Sequence, residues 1–129
     1  MVKKLANIFG IVFLAVGILG YIPGITTDSH LLGIFHVNGM HNIVHILSGI
    51  IALWAGMTSA KAAKMYLQIF GIVYALVAVL GFMVGDGLIL GLIANNSADN
   101  WLHVVIALVA LYAGFSMKTE GQGMNAGAM

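Results

Sequence analysis

Apolar residues fall into four long runs, and short segments that carry most of the charges separate them. The runs cover residues 5–22, 40–57, 65–84 and 100–117. Each run has close to the roughly 20 residues that a helix needs to cross the hydrocarbon core of a bilayer. The pattern therefore predicts an all-α integral membrane protein with four transmembrane helices.

The second half of the chain repeats the first. The pentapeptide Ile-Phe-Gly-Ile-Val at residues 8–12 recurs at residues 69–73, an offset of 61, and the pair Asn42 and His45 recurs as Asn100 and His103, an offset of 58. Self-similarity of this kind indicates a duplicated unit. The smaller second offset places about three extra residues in the first connecting loop, where length changes are tolerated.

Each repeat reads as a helical hairpin, covering residues 5–57 and 65–117 of a single domain at residues 1–118. Two crossings per unit give both copies the same orientation, so they should be parallel-related about an axis along the membrane normal. The apolar connectors at residues 32–38 and 90–96 read as short segments lying against the outer leaflet. The Gly-rich residues 119–129 are predicted to form a flexible cytoplasmic tail.

Composition supports placement in lipid. Hydrophobic residues make up 61% of the chain and charged residues 7%, and the mean hydropathy is +1.06. So little charge cannot cover the surface of a soluble domain. A formal net charge of +1 gives no basis for nucleic-acid binding. The predicted partners are the lipid bilayer and either further copies of the chain or the other subunits of a larger membrane complex.

The lysines mark one side of the predicted membrane. They precede the first run, lie between the second and third, and follow the fourth: Lys3, Lys4, Lys61, Lys64 and Lys118. Positive residues favour cytoplasmic loops, so both termini should be cytoplasmic in a multi-pass protein of the cell membrane. All five histidines lie toward the opposite, outer ends of the runs.

A polar stripe begins at the outer end of the second span and is repeated in the fourth. Spacings of four, three and four place one set of residues on one face of a continuous helix: Asn38, Asn42, His45 and Gly49. The second copy has Asn96, Asn100, His103 and Ala107, and His41 and Asp99 occupy equivalent positions beside the two stripes. Because polar groups within a span are costly, these side chains should face protein or a water-filled cavity.

The motif around this stripe is similar to that of a known family. The run from Leu31 to Asn38, followed by His41-Asn42-Ile43-Val44-His45, and the later run Asp99-Asn100-Trp101-Leu102-His103 resemble a bacterial membrane family known as a domain of unknown function, DUF4383. The resemblance covers nearly the whole chain and implies four spans and a bacterial origin. It implies no activity.

Three hypotheses account for the polar stripe. In the first, the asparagines Asn38, Asn42, Asn96 and Asn100 and the histidines form a polar seam, which hydrogen-bonds the two halves together. In the second, His45 and His103 bind a haem or a transition metal, with His41 and Asp99 as further metal ligands and neither cofactor favoured. In the third, the titratable groups carry protons or ions through an oligomer.

The residues give little support to an enzyme. The chain has no cysteine, so thiolate metal sites and thiol chemistry are excluded, and no serine has the neighbours of a catalytic triad. The sequence therefore favours a non-enzymatic accessory, assembly or scaffold protein built around the polar seam. The leading alternative is a small cofactor-binding membrane protein.

Overall fold

The computed structural model describes residues 1–117, and within them the chain forms four helices. These are α1 (Val2–Leu19), α2 (Gly39–Thr58), α3 (Ala60–Val84) and α4 (Ser97–Ser116). All four are long and apolar enough to cross a membrane. The four predicted helices are thereby confirmed, with bounds that differ by a few residues. The predicted tail at residues 119–129 lies outside the described residues.

The helices pack as two antiparallel pairs. α1 packs closely on α2 and α3 on α4, whereas α2 and α1 make lighter contacts with α3. Close approach of α1 and α2 depends on two glycines, since a Cβ added at Gly49 would lie 2.8 Å from the backbone oxygen of Gly10. Backbones that approach this closely gain van der Waals contact, which drives helix association in lipid.

The connectors are hydrogen-bonded strands that close over one end of the helix bundle. The first contains β1 (Thr26–Thr27), β2 (His30–Leu31) and β3 (Phe35–His36), and the second contains β4 (Leu88–Ile89) and β5 (Ile93–Ala94). All neighbouring strands are antiparallel. We call residues 30–36 the first outer hairpin and residues 88–94 the second. The additional strand β1 lies in the connector to which the sequence assigns extra residues.

Both outer hairpins turn at a Leu-Gly pair. Leu32 and Gly33 have φ angles of 56° and 72°, and Leu90 and Gly91 have 54° and 72°. Positive φ at both central residues suits the twist of paired antiparallel strands, and glycine adopts it without steric cost. Leucine rarely does. The sequence predicted outer segments here but not the strands, because such short apolar runs lack a clear period.

Polar residues are buried inside the bundle while large apolar residues point outward. The buried apolar core is built mainly of alanines together with Leu67, Tyr66, Phe13 and Tyr74. Toward the hairpin end, buried polar residues take over: His41, Asn42, His45, Ser48, Asn95, Asp99, Asn100 and His103. This distribution suits a bundle whose outer surface meets lipid.

Candidate metal centre

Three histidines meet inside the bundle near the outer hairpins. His41 and His45 lie one turn apart on α2, and His103 projects from α4; their side chains are 2%, 3% and 2% exposed. The ring centroids of His41 and His45 lie 4.5 Å apart, and that of His103 lies 5.9 Å from His41 and 6.3 Å from His45. We call these residues the histidine cluster. One ring nitrogen from each of the three residues lies within 4.8 Å of the corresponding nitrogens of the other two.

A backbone carbonyl fixes the protonation of one member of this cluster. Nδ1 of His41 lies 2.8 Å from the carbonyl oxygen of Ala94, in the second outer hairpin. Because a carbonyl oxygen only accepts hydrogen bonds, Nδ1 carries a proton, and in the neutral ring Nε2 then has the lone pair. Metal-binding histidines are commonly oriented by such a bond.

One ring nitrogen of each residue in the histidine cluster is buried without a hydrogen-bond partner among the described residues. These are Nε2 of His41, Nδ1 of His45 and Nδ1 of His103. A buried polar group left without a partner costs about 1–3 kcal/mol. A ligand at the histidine cluster would supply partners for such nitrogens.

The geometry suits a small ion. Three nitrogens about 2.0 Å from a tetrahedral zinc ion lie about 3.3 Å apart, and modest side-chain rotation would bring nitrogens within 4.8 Å of one another to that spacing. A cavity of about 130 Å³ adjoins the histidine cluster. Cofactor pockets usually measure about 300–1,000 Å³, so this smaller volume suits an ion with its waters.

Asp99, the other candidate ligand, has a different position. Its carboxylate accepts a hydrogen bond of 3.0 Å from the backbone N–H of Asn96, and the Asn96 side chain accepts one of 3.0 Å from the backbone N–H of Asp99. This reciprocal pair is a capping box at the start of α4. The structure thus brings together His41, His45 and His103 and uses Asp99 to begin a helix.

The first asparagine of each stripe joins the two halves of the chain. The side-chain oxygen of Asn38 accepts a hydrogen bond from the backbone N–H of His41 and so caps α2. Its side-chain nitrogen donates to the carbonyl oxygen of Leu92 at 2.9 Å, and that of Asn96 donates to Ile34 at 2.9 Å. Each helix start is therefore bonded to the outer hairpin of the other half.

The second asparagine of each stripe lies deeper. Asn42 and Asn100 are buried, and their side-chain oxygens lie against the backbone of Gly20 and Gly81 without a hydrogen-bond partner among the described residues. A Cβ at either glycine would collide with the facing asparagine. Glycine at the ends of α1 and α3 thus makes room for these amides.

Two contributors to the site were missed from the sequence. The Asn95 side chain donates to the carbonyl oxygens of Gly85 and Gly81, at 2.8 and 3.2 Å, and so satisfies the end of α3. The Tyr74 hydroxyl donates to Ser48 Oγ at 3.3 Å, and its ring centroid lies 5.6 Å from that of His103. Tyr74 follows Phe13 by 61 residues, the same offset at which residues 8–12 recur, and its hydroxyl within an apolar run was the indication that the sequence offered.

Four helices of this length and hydropathy are compatible with a multi-pass membrane protein. The sequence model of the family described as a domain of unknown function, DUF4383, matches residues 3–116, and the chain belongs to that family. No curated protein and no solved structure matches the chain. The family description names no activity, so function is argued from the histidine cluster.

Proposed function

We propose that this protein binds one transition-metal ion in the membrane through His41, His45 and His103. The observation that carries the proposal is the convergence of three buried imidazoles, each with a ring nitrogen that lacks a hydrogen-bond partner among the described residues. Imidazole ligands without thiolates suit zinc, copper and nickel. Three protein ligands also leave a fourth position for water or a small ligand, as in catalytic zinc sites.

The polar-seam hypothesis accounts for the asparagines at the start of each stripe and not for the histidines. Hydrogen bonds from Asn38 and Asn96 to the opposite hairpins support a structural role for those two residues. The same role for His45 and His103 would require bonds between the rings and the amides, and each ring instead has an unpartnered nitrogen. A bound ion would provide the histidine cluster with a partner, whereas the polar seam would not.

Binding is favoured over conduction by the surroundings of the histidine cluster. The other end of the bundle is packed mainly with buried apolar residues, among them Ala6, Ala52, Leu67 and Ala110. An ion or proton crossing the membrane would need polar groups through this layer. We therefore propose a site that holds an ion near one face of the membrane.

We further propose that the two helical hairpins are duplicated units related about an axis along the membrane normal, with the lysine-bearing ends in the cytoplasm. The hydrogen bonds of Asn38 and Asn96 support this relation. Each side-chain nitrogen lies 2.9 Å from a carbonyl oxygen in the outer hairpin of the other half. In this orientation the histidine cluster lies toward the outer leaflet. An accessory or scaffold role stays a prediction.

Titration with Co²⁺ tests the metal proposal. Protein treated with a chelator in detergent should bind one Co²⁺ per chain and show the visible absorption of a low-coordinate site. Replacing His41, His45 or His103 by Gln, which keeps a polar side chain, should abolish most binding. Lowering the pH from 7 to 5 should release the ion, because protons compete with the metal for the imidazole lone pairs.

His30→Gln is the matched control. His30 lies in the first outer hairpin, where its Nδ1 bonds the carbonyl oxygen of Asp28, and it is not part of the histidine cluster. This variant should bind Co²⁺ like the wild type, and circular dichroism should show the same helix content in all four variants. Failure of the folded wild type to bind, or equal loss in His30→Gln, would overturn the proposal.

A further inference from the structure

The cavity beside the histidine cluster also contains two hydroxyl groups. It lies between α2, α3 and α4, and its volume is about 130 Å³. All three members of the histidine cluster line it together with Ser48 and Tyr74, and the remaining lining residues are apolar. We call it the hydroxyl cavity. An ion held by the histidine cluster would therefore have its open coordination position next to two hydroxyls.

The two hydroxyls form a pair that can donate one further hydrogen bond. The Tyr74 hydroxyl donates to Ser48 Oγ at 3.3 Å. A serine hydroxyl that accepts a hydrogen bond still has its own proton to donate. Ser48 follows His45 by three residues on α2, so the two side chains lie on the same helix face. The Ser48 proton is thus available to a molecule that lies in the hydroxyl cavity beside the histidine cluster.

Both hydroxyls occupy positions at which the other half of the chain has a hydrocarbon side chain. Phe13 precedes Tyr74 by 61 residues and Ile106 follows Ser48 by 58, the offsets at which motifs of the two halves recur. Phe13 is buried in the core, so a ring without a hydroxyl packs well in such a helix. Because polar groups within a span are costly and mark binding sites, two added hydroxyls beside the histidine cluster indicate a ligand.

The charge of the metal ion determines what kind of ligand this is. Three neutral imidazoles leave a divalent ion with both of its positive charges. Such a charge inside a membrane protein is costly unless an opposite charge compensates it. The carboxylates of the described residues are Asp28, Asp86 and Asp99, and none of them lines the hydroxyl cavity. An anion at the fourth coordination position would supply the compensating charge, and a hydrogen bond to an anion is stronger than one to a neutral group.

The size of the hydroxyl cavity limits the anion. A volume of 130 Å³ equals about four water molecules at about 30 Å³ each. We infer that the hydroxyl cavity holds a small anion of up to about four non-hydrogen atoms, which completes the coordination of the ion and accepts a hydrogen bond from Ser48. Tyr74 is a positioning residue, because it acts through the Ser48 hydroxyl. This inference rests on the proposed metal site.

Azide, a small linear anion, is the probe. It is titrated into Co²⁺-saturated protein in detergent while the visible spectrum of the ion is followed, and metal analysis establishes the Co²⁺ occupancy of every variant. The wild type should show a saturable spectral change with one azide per ion. Ser48→Ala should weaken azide binding about tenfold at full Co²⁺ occupancy, the effect of one hydrogen bond. Tyr74→Phe, which leaves Ser48 in place without its partner, should weaken azide binding by a smaller factor.

Tyr66→Phe is the matched control. The Tyr66 hydroxyl donates to the backbone carbonyl oxygen of Ser48 at 3.2 Å, and Tyr66 does not line the hydroxyl cavity. This variant also removes a tyrosine hydroxyl that is bonded to Ser48, but it leaves the pair of side-chain hydroxyls intact. It should bind azide like the wild type. Equal weakening in Tyr66→Phe and Ser48→Ala would indicate a general loosening of the bundle and would overturn the inference.

The other outcomes separate this inference from the metal proposal. Normal Co²⁺ binding without a saturable azide response, or an unchanged azide affinity in Ser48→Ala, overturns the inference and leaves the metal site standing. If Ser48→Ala fails to take up Co²⁺, the more conservative Tyr74→Phe decides by the same measurement. Failure of the wild type to bind Co²⁺ refutes the metal site and this inference with it.

Discussion

Single residues of the polar stripe act differently according to their depth in the bundle. Asn38 precedes α2 with extended backbone and uses both ends of its amide, one as a helix cap and one as a donor to the second outer hairpin. Asn42, one turn later, is buried against Gly20. His45 follows in the histidine cluster. One sequence pattern therefore encodes a cap, a packing contact and a candidate ligand.

The two bonds of Asn38 should be separable by substitution. Asn38→Ala removes the cap and the bond to Leu92, and it should lower the free energy of unfolding by about 2 kcal/mol. Asn38→Ser keeps a capping oxygen but cannot reach Leu92, so it should cost about 1 kcal/mol. Denaturant unfolding in mixed micelles with a chelator present measures both. If Asn38→Ser is as stable as the wild type, the bond between the halves contributes nothing.

At this scale the sequence predicted part of the site. The i, i+4 spacing of His41 and His45 places them on one helix face, and the repeat places His103 at a matching position. The role of Asp99 could not be predicted in this way. A side chain at the third position of a helix can accept a hydrogen bond from the backbone N–H of the residue that precedes the helix. That local bond occupies the carboxylate, and helical spacing alone does not distinguish it from a ligand. The contact of His41 with Ala94 depends on how the second hairpin folds back.

Among the elements, the helices follow from the hydrophobic pattern and the connectors do not. Long apolar runs bounded by lysines have few alternatives in a membrane, so their existence and number could be predicted. Connectors of a few apolar residues carry no decisive period, and their strands depend on the Leu32-Gly33 and Leu90-Gly91 turns. How closely α1 and α2 approach depends on glycines whose partners are far away in sequence.

The α1–α2 contact gives a test at the level of elements. A Cβ at Gly49 would lie 2.8 Å from the backbone oxygen of Gly10 and equally close to the backbone nitrogen of Leu14. Because backbone cannot move aside as a side chain can, Gly49→Ala should destabilise the protein by about 1–3 kcal/mol. Thermal unfolding in detergent, followed by circular dichroism, measures the effect.

Gly39→Ala is the matched control on the same helix. A Cβ there would approach only the Tyr21 hydroxyl, at 3.8 Å, an ordinary van der Waals contact. Because alanine has less conformational freedom than glycine in the unfolded chain, this variant should be as stable as the wild type or slightly more so. Comparable destabilisation by both substitutions would mean that close approach of α1 and α2 is not what Gly49 provides.

For the whole molecule, the distribution of charge and polarity distinguishes the two ends of the bundle. Lys3, Lys4, Lys61 and Lys64 lie at the starts of α1 and α3, while both outer hairpins and the histidine cluster lie at the opposite end. The position of the outer hairpins at this end follows from the chain order, because each hairpin connects the two antiparallel helices of a pair. Which end faces the cytoplasm rests on the positive-inside rule.

Absence of cysteine from the chain makes this orientation directly testable. Thr27→Cys and Ser97→Cys place an exposed thiol at the hairpin end, and Ser116→Cys places one at the lysine end. A membrane-impermeant maleimide applied to intact cells should label the first two variants and spare the third. Opening the membranes should allow all three to react, which controls for the accessibility of each thiol.

The labelling pattern also decides from which side an ion reaches the histidine cluster. If only Ser116→Cys reacts in intact cells, the lysines face outward, the orientation is wrong, and the cluster draws its ion from the cytoplasm. Labelling of all three variants before opening would mean that the chain inserts both ways, as expected when few charges bias the loops. Since four lysines in the described residues lie at one end and none at the other, we expect a single orientation with the histidine cluster toward the outside.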